Sequence, residues 1–252
     1  MEAFGRLLDV LDELRVKCPW DRKQTNESLR PNTIEETYEL CDALMKGDDH
    51  EVMKELGDVL LHVAFYAKIG EEKEQFDMAD VCNALTDKLI FRHPHIYGTQ
   101  KADTEEQVLD NWEQIKQREK DGNKTVLAGV PRALPSLIKA YRIQDKASHV
   151  GFDWERREDV WQKVREEMGE LEAELERGDK QASEQELGDL LFAVINAARL
   201  YKLNADNALE MTNQKFIRRF NYIEQRSREL QKPMTEMTLD EMEALWQEAK
   251  KQ

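Results

Sequence analysis

A gapless internal repeat constrains the fold of this chain more than any other feature of its sequence. A shift of 131 positions aligns residues 34–68 with residues 165–199. Five acids stay in register, because Glu35, Glu36, Glu39, Glu55 and Asp58 align with Glu166, Glu167, Glu170, Glu186 and Asp189. The pair Gly47-Asp48 aligns with Gly178-Asp179. A duplicated block of this kind predicts two copies of one supersecondary unit.

Both copies have the composition and the periodicity of helices. The chain has 252 residues with only 11 Gly and 6 Pro, and apolar residues recur at helical spacing. One helix is expected to begin at a cap formed by Asn32 or Thr33 and to end at Gly47. The other predicted helices cover residues 3–16, 49–69, 78–91, 157–176, 180–202, 205–230 and 240–250.

We therefore predict an all-α fold made of two tandem copies of a helical bundle. The N-terminal domain is assigned to residues 1–120, the linker to residues 121–134 and the C-terminal domain to residues 135–252. Breaks in the helical pattern, from Asp121 to Pro135, place the linker. Gly57 and Gly188 fall inside predicted helices, where Gly costs about 0.5–1 kcal/mol relative to Ala. Close approach of a neighbouring helix would offset that cost.

Charge and cysteine content narrow the classes of function. The formal net charge is −15, which disfavours binding to nucleic acid and to anionic membranes. The three cysteines, Cys18, Cys41 and Cys82, form no CxxC pair, as is usual for free thiols in a reducing compartment. The N-terminal residues lack the pattern of a signal peptide, and no apolar run reaches the ~18–20 residues of a membrane span. We expect a cytoplasmic protein.

The aligned acids have the spacing of a metal site. On a helix, Glu167 and Glu170 share one face, and Glu186 and Asp189 share a face of the next helix. An antiparallel pair of helices would bring these four carboxylates together, and would do the same in the first copy with Glu36, Glu39, Glu55 and Asp58. Such like charges raise one another's pKa unless a cation compensates them. Ligands that are all oxygen suit Mg²⁺ or Mn²⁺.

Simpler roles for these acids compete with the metal site. Thr33 and Glu36 fit a capping box, and acidic runs often lie on solvated faces. Recurrence of the whole pattern in the second copy favours the metal site. His62 aligns with Ala193, so the repeat does not support His62 as a ligand.

Basic and aromatic residues follow the acids in each copy. Lys215, Arg218 and Arg219 would form one cationic edge for phosphate oxygens. Lys88 and Arg92 are the corresponding residues of the first copy. Lys163 is a further candidate for substrate binding. Trp246 is a candidate for stacking on a nucleobase, with packing in a core or a dimer as the alternative.

The pattern EExxE…ExxD, present at residues 35–58 and 166–189, resembles that of the MazG nucleotide pyrophosphohydrolases, members of the all-α NTP pyrophosphatase superfamily. Segments 18–21, 92–95 and 150–154 also resemble tandem-domain members. The resemblance implies a homodimer and Mg²⁺-dependent conversion of NTPs and dNTPs to monophosphate and pyrophosphate, as house-cleaning of nucleotide pools. It further implies that the C-terminal copy is the competent one.

The resulting hypothesis gives each residue of the C-terminal copy a role. Glu167, Glu170, Glu186 and Asp189 would hold Mg²⁺, and Glu166 or one of the ligands would activate water. The basic residues would stabilise the departing pyrophosphate. The alternatives are a dCTP/dUTP hydrolase, a phosphoribosyl-ATP pyrophosphohydrolase, a non-catalytic helical adaptor and a di-iron carboxylate bundle, which usually contains Glu-x-x-His pairs.

Overall fold

The computed structural model describes residues 2–99 and 125–251, together with residues 104, 107, 108 and 115. Within these residues the regular structure is α-helical, with three short 3-10 helices and no strand, and the predicted all-α class is confirmed. None of the described helices is both long and apolar enough to cross a membrane. The chain forms two compact units, Met1–Val108 and Leu109–Gln252. The predicted linker at 121–134 stays a prediction, and residues 121–124 lie outside the described ranges.

The N-terminal unit is a set of helices that follow one another with short connections. In chain order they are α1 (Glu2–Lys17), a 3-10 helix (Asp21–Lys23), α2 (Asn26–Lys46), α3 (Asp49–Glu72), α4 (Met78–Arg92) and α5 (Pro94–Tyr97). α2 packs along α3, and α1 and α4 also contact α3. The buried centre consists of Leu11, Leu29, Ala64, Phe65 and Ile69. Full burial of one such large side chain is worth about 1.5–3 kcal/mol, so this cluster holds α1 and α2 against α3.

The start of α2 differs from the predicted one. The cap is Thr25 rather than Asn32 or Thr33, and Thr25 forms a reciprocal capping box with Ser28. Thr33 lies inside the helix, where its hydroxyl donates to the Leu29 carbonyl at 3.0 Å. Leu29 is 1% exposed, and its burial secures the additional N-terminal turns although Pro31 lies within them. The start of α2 therefore combines a local capping box at Thr25 with the tertiary burial of Leu29.

The C-terminal unit has the same kind of helical hairpin at its centre. Its helices are α6 (Ser136–Ser148), α7 (Val160–Arg177), α8 (Lys180–Leu200), α9 (Ala205–Glu229) and α10 (Leu239–Ala249), with 3-10 helices at Arg157–Asp159 and Met234–Glu236. α7 packs along α8, α6 contacts α8, and α10 packs on α9. An apolar cluster of Ile223, Met237 and Leu245 joins α9 to α10.

One turn geometry closes both hairpins. Gly47 ends α2 with φ +69°, and Gly178 ends α7 with φ +73°; this left-handed conformation favours Gly. The next residue then caps the following helix. Asp48 accepts from the backbone N–H groups of residues 50 and 51 at 3.0 and 3.2 Å, and Asp179 accepts from residues 181 and 182 at 3.0 and 3.1 Å. The repeat is thus a repeat of structure as well as of sequence.

Close helix approach at Gly57 and Gly188 is not seen. A Cβ atom added at either position would meet nothing within 4 Å among the described residues. The expectation that a neighbouring helix approaches closely at these glycines is therefore not met among the described residues.

Candidate active site

The α2–α3 hairpin gathers three of the four predicted carboxylates of the first copy. One carboxylate oxygen from each of Glu36, Glu39 and Glu55 lies within 4.8 Å of the others; we call these residues the N-terminal cluster. Asp58 lies outside this group of three, but its negative charge affects a member of the group. Desolvation and the charge of Asp58 raise the pKa of Glu36.

Glu55 is the buried member of the N-terminal cluster. The residue is 8% exposed, and its Oε2 atom is buried with no hydrogen-bond partner among the described residues. Desolvation and the neighbouring Glu39 carboxylate raise the pKa of Glu55. A buried carboxylate oxygen without a donor is costly, and a bound cation would satisfy it.

The α7–α8 hairpin builds the corresponding site of the second copy. Here Glu167, Glu186 and Asp189 each contribute an oxygen within 4.8 Å of the others; these residues form the C-terminal cluster. Glu167 is buried and Asp189 is exposed. Glu170 lies outside the group of three, but desolvation and the charges of Glu167 and Glu186 raise its pKa. All four predicted carboxylates therefore contribute to one electrostatic site.

Lys163 lies directly against the C-terminal cluster. Its Nζ atom is 2.7 Å from an oxygen of Glu166 and 2.7 Å from an oxygen of Glu167. Hydrogen bonds to these two carboxylates raise the pKa of the lysine, so the ammonium form is firmly held. The residue at the equivalent position of the first copy is Asn32.

The N-terminal unit contains a polar network that the sequence patterns did not predict. Thr33 Oγ1 lies 2.9 Å from His62 Nδ1 and 2.6 Å from the Tyr66 hydroxyl. His62 is buried, and desolvation lowers its pKa, which keeps the ring neutral. The aligned residues of the second copy are all apolar: Val164, Ala193 and Ala197. This difference in polarity between the two copies is the sequence signal from which the network could have been predicted. His62 belongs to neither carboxylate cluster.

The basic residues lie on α9 in the C-terminal unit. Lys215 and Arg218 are exposed and Arg219 is half-buried. The Arg219 guanidinium stacks over the Trp246 ring at 5.4 Å, and Phe216 packs against the same ring at 5.1 Å. Trp246 also packs against the apolar α9–α10 cluster. The Trp246 ring therefore makes packing contacts within the unit, and the Arg219 guanidinium covers one of its two faces.

The first copy has an open cleft beside its carboxylates. The cleft has a volume of about 450 Å³, and Tyr38, Lys46, Glu39 and Glu55 are among its lining residues. Lys88 and Arg92 both lie on α4, one turn apart, with Lys88 exposed and Arg92 half-buried. Their predicted contact with phosphate stays a prediction.

Comparison with known families agrees with the duplicated hairpins. The model of the MazG nucleotide pyrophosphohydrolase domain matches residues 24–97 and again residues 156–223. Each match contains one hairpin with its complete set of aligned acids. The predicted tandem arrangement is confirmed by these two matches.

Full-length relatives extend the similarity beyond the two hairpins. The chain is 40% identical to the nucleoside triphosphate pyrophosphohydrolase of Escherichia coli strain K12, over 100% of this chain and 98% of that protein. It is 39% identical to the Thermotoga maritima nucleoside triphosphate pyrophosphohydrolase/pyrophosphatase MazG, over 98% and 95% of the two chains. It is 44% identical to Bacillus subtilis YabN over 98% of this chain and 51% of that protein. On its two domain matches and its full-length similarity, the chain belongs to the MazG nucleotide pyrophosphohydrolase family.

Proposed function

We propose that this protein hydrolyses nucleoside triphosphates, both NTPs and dNTPs, to nucleoside monophosphate and pyrophosphate with Mg²⁺, at the C-terminal cluster. The reaction is that of the family, and relatives of the same length carry it in their names. The assignment to these residues depends on one observation: oxygens of Glu167, Glu186 and Asp189 lie within 4.8 Å of one another. Like charges this close together disfavour one another's ionised form, and a bound cation would relieve the repulsion.

The residues fit a hard divalent cation. The donor atoms are carboxylate oxygens, which Mg²⁺ and Mn²⁺ prefer. The raised pKa of Glu170, caused by desolvation and by the charges of Glu167 and Glu186, indicates uncompensated negative charge. The buried Oε2 of Glu55, which has no donor among the described residues, points to the same need in the N-terminal cluster. When bound, the metal would neutralise phosphate charge and acidify a bound water.

The chain's own side chains would then divide the remaining tasks. Glu166 is exposed at the edge of the site, where a carboxylate can orient or deprotonate a water. Lys215, Arg218 and Arg219 supply positive charge on α9 for the departing pyrophosphate. Trp246 is held by Phe216 and Arg219, so a nucleobase would stack on the ring face opposite the Arg219 guanidinium.

A homodimer is part of the same proposal. Large apolar side chains are exposed along α8, where Leu187, Leu191 and Val194 are 45%, 49% and 41% exposed. Leu56, Leu60 and Val63 form the same i, i+4, i+7 row on α3. Exposed apolar rows of this size favour burial against another protein surface, and light scattering of the purified chain measures the assembly.

The experiment is product analysis of ATP and dNTP hydrolysis with and without Mg²⁺. Glu170→Gln should lower turnover by at least about 100-fold, the scale on which one active-site electrostatic group acts. Glu176→Gln, on an exposed side chain of the same helix, is the matched control and should keep full activity. Glu39→Gln changes the aligned residue of the first copy and should leave most of the activity.

Three results would contradict the proposal. Full activity of Glu170→Gln would remove the C-terminal cluster from catalysis. If Glu39→Gln lost activity while Glu170→Gln kept it, catalysis would be assigned to the N-terminal cluster instead. Release of phosphate instead of pyrophosphate would show that a different phosphoanhydride bond is cleaved.

A further inference from the structure

The two carboxylate clusters differ in how their buried acid is compensated. In the C-terminal cluster, the buried Glu167 carboxylate has the Lys163 ammonium 2.7 Å away. In the N-terminal cluster, the position aligned with Lys163 holds Asn32, and Glu36 is the residue aligned with Glu167. The buried acid of this cluster is instead Glu55, which aligns with Glu186 and has an oxygen without a hydrogen-bond partner among the described residues. The nearby Lys54 pairs with Glu51 at 2.9 Å. At the aligned position, one cluster therefore has a cation and the other a neutral amide.

We propose that Lys163 is the resting counter-ion of the C-terminal cluster and is displaced from Glu167 when the metal binds. The inference rests on the proposed function, because it assumes that this cluster takes a divalent cation. An ammonium group at 2.7 Å from the carboxylate occupies part of the space and charge that a metal ion would take. The C-terminal cluster therefore binds a bare cation more weakly than the N-terminal cluster does.

Displacement gives Lys163 a second use. Once its carboxylates hold a metal, the ammonium is released beside the site, where phosphate oxygens are its natural partners. Weak affinity for the bare cation then favours binding of the metal together with the nucleotide, since the substrate supplies the new partner of the lysine. Lys163 is in this sense a positioning residue that couples metal binding to substrate binding.

The chain supplies a reciprocal exchange as a test. The probe is Mn²⁺ alone, measured by electron paramagnetic resonance of the free ion, with no nucleotide present. The C-terminal cluster is measured in a Glu39→Gln, Glu55→Gln background, and the N-terminal cluster in a Glu186→Gln, Asp189→Asn background. Each background leaves one cluster intact, and circular dichroism checks that the helical content is unchanged.

Lys163→Asn, which installs the residue of the first copy, should tighten Mn²⁺ binding at the C-terminal cluster by about tenfold, the factor that corresponds to about 1.4 kcal/mol. Asn32→Lys should weaken binding at the N-terminal cluster by a similar factor. Lys163→Arg keeps the charge and should stay near the wild-type affinity, which separates a counter-ion role from a merely structural one.

The outcomes separate this inference from the proposed function. Equal Mn²⁺ affinity in the Lys163→Asn variant and in the parent background would overturn the counter-ion role while leaving the metal site in place. Absence of Mn²⁺ binding at the C-terminal cluster in every variant would overturn the inference, while product analysis with nucleotide and Mg²⁺ would still decide the proposed function. Weaker binding in Lys163→Asn would overturn the inference as well, because the lysine would then support the site instead of competing with the cation.

Discussion

The ion pair between α1 and α3 can be used to test how the N-terminal unit is held together. Arg15 donates two hydrogen bonds to Glu72, at 2.8 and 2.5 Å, one to the Gln24 carbonyl at 3.2 Å and one to the Asp21 carbonyl. The Arg15 side chain is 8% exposed and that of Glu72 is 40% exposed. Glu72→Gln keeps the shape of the side chain and leaves a buried guanidinium without its counter-charge.

The size of the effect follows from burial. Breaking a fully buried pair costs about 3–5 kcal/mol, and an exposed pair is worth about 0.2–1 kcal/mol. Because Glu72 is partly exposed and Arg15 keeps its two carbonyl partners, we expect Glu72→Gln to lower the free energy of unfolding by about 2 kcal/mol. With an m-value of about 2 kcal/mol per molar urea, the unfolding midpoint falls by about 1 M.

Urea unfolding followed by circular dichroism measures the shift. Glu13→Gln is the matched control, because Glu13 pairs with Lys17 on the same helix but both side chains are at least 60% exposed. This variant should lose less than about 0.5 kcal/mol. If Glu72→Gln and Glu13→Gln unfold at the same urea concentration, the Arg15 pair does not anchor α1 and the reasoning is refuted.

Three further predictions concern the pH dependence of the Glu72 ion pair and the substitutions Gly178→Ala and Gly188→Ala. The hydrogen bonds from Arg15 lower the pKa of Glu72. The contribution of Glu72 to stability is therefore present above the ordinary carboxyl pKa of about 4.3 and is lost as the pH falls through the folded value. The urea midpoints of wild type and Glu72→Gln should converge in acid, and a constant difference between them would contradict this. Gly178→Ala places a Cβ at φ +73° and should lower the free energy of unfolding by about 1 kcal/mol in thermal denaturation, with stability unchanged as the contrary result. Gly188→Ala should raise it by about 0.5–1 kcal/mol, because the new Cβ meets nothing within 4 Å among the described residues and position 188 is not a member of the apolar row Leu187, Leu191 and Val194; a loss of stability would contradict this.

Sequence periodicity was enough to place the helical hairpins and their turns. Gly47 and Gly178 end helices as expected, and Asp48 and Asp179 cap the next ones. These features depend on neighbours in the chain, namely the left-handed tolerance of Gly and the short side chain of Asp. The start of α2 at Thr25 was missed although Thr25 and Ser28 form a local capping box; choosing this cap over Asn32 or Thr33 depends on burial of Leu29, which is a tertiary contact.

The acidic site was predictable as a set of residues but not as a geometry. Helical spacing predicted that Glu36 and Glu39 share one helix face and that Glu167 and Glu170 share another. Spacing alone could not decide that Glu39 joins the group of three in one copy while Asp189 joins it in the other. Side-chain rotamers and the packing of two helices decide that difference, and neither is encoded in a repeat of residue types.

The sequence by itself determined that the chain is a duplicated helical protein with five aligned acids per copy, because periodicity and local capping are properties of the linear chain. Only the tertiary structure decided which acid is buried. Glu55 has an oxygen that meets no donor among the described residues, and Glu167 is buried in the other copy. The Lys163–Glu167 pair is an i, i+4 contact within one helix, so its spacing belongs to the linear chain. The burial of each acid depends on what two packed helices bring together, and this is a property of the folded chain alone.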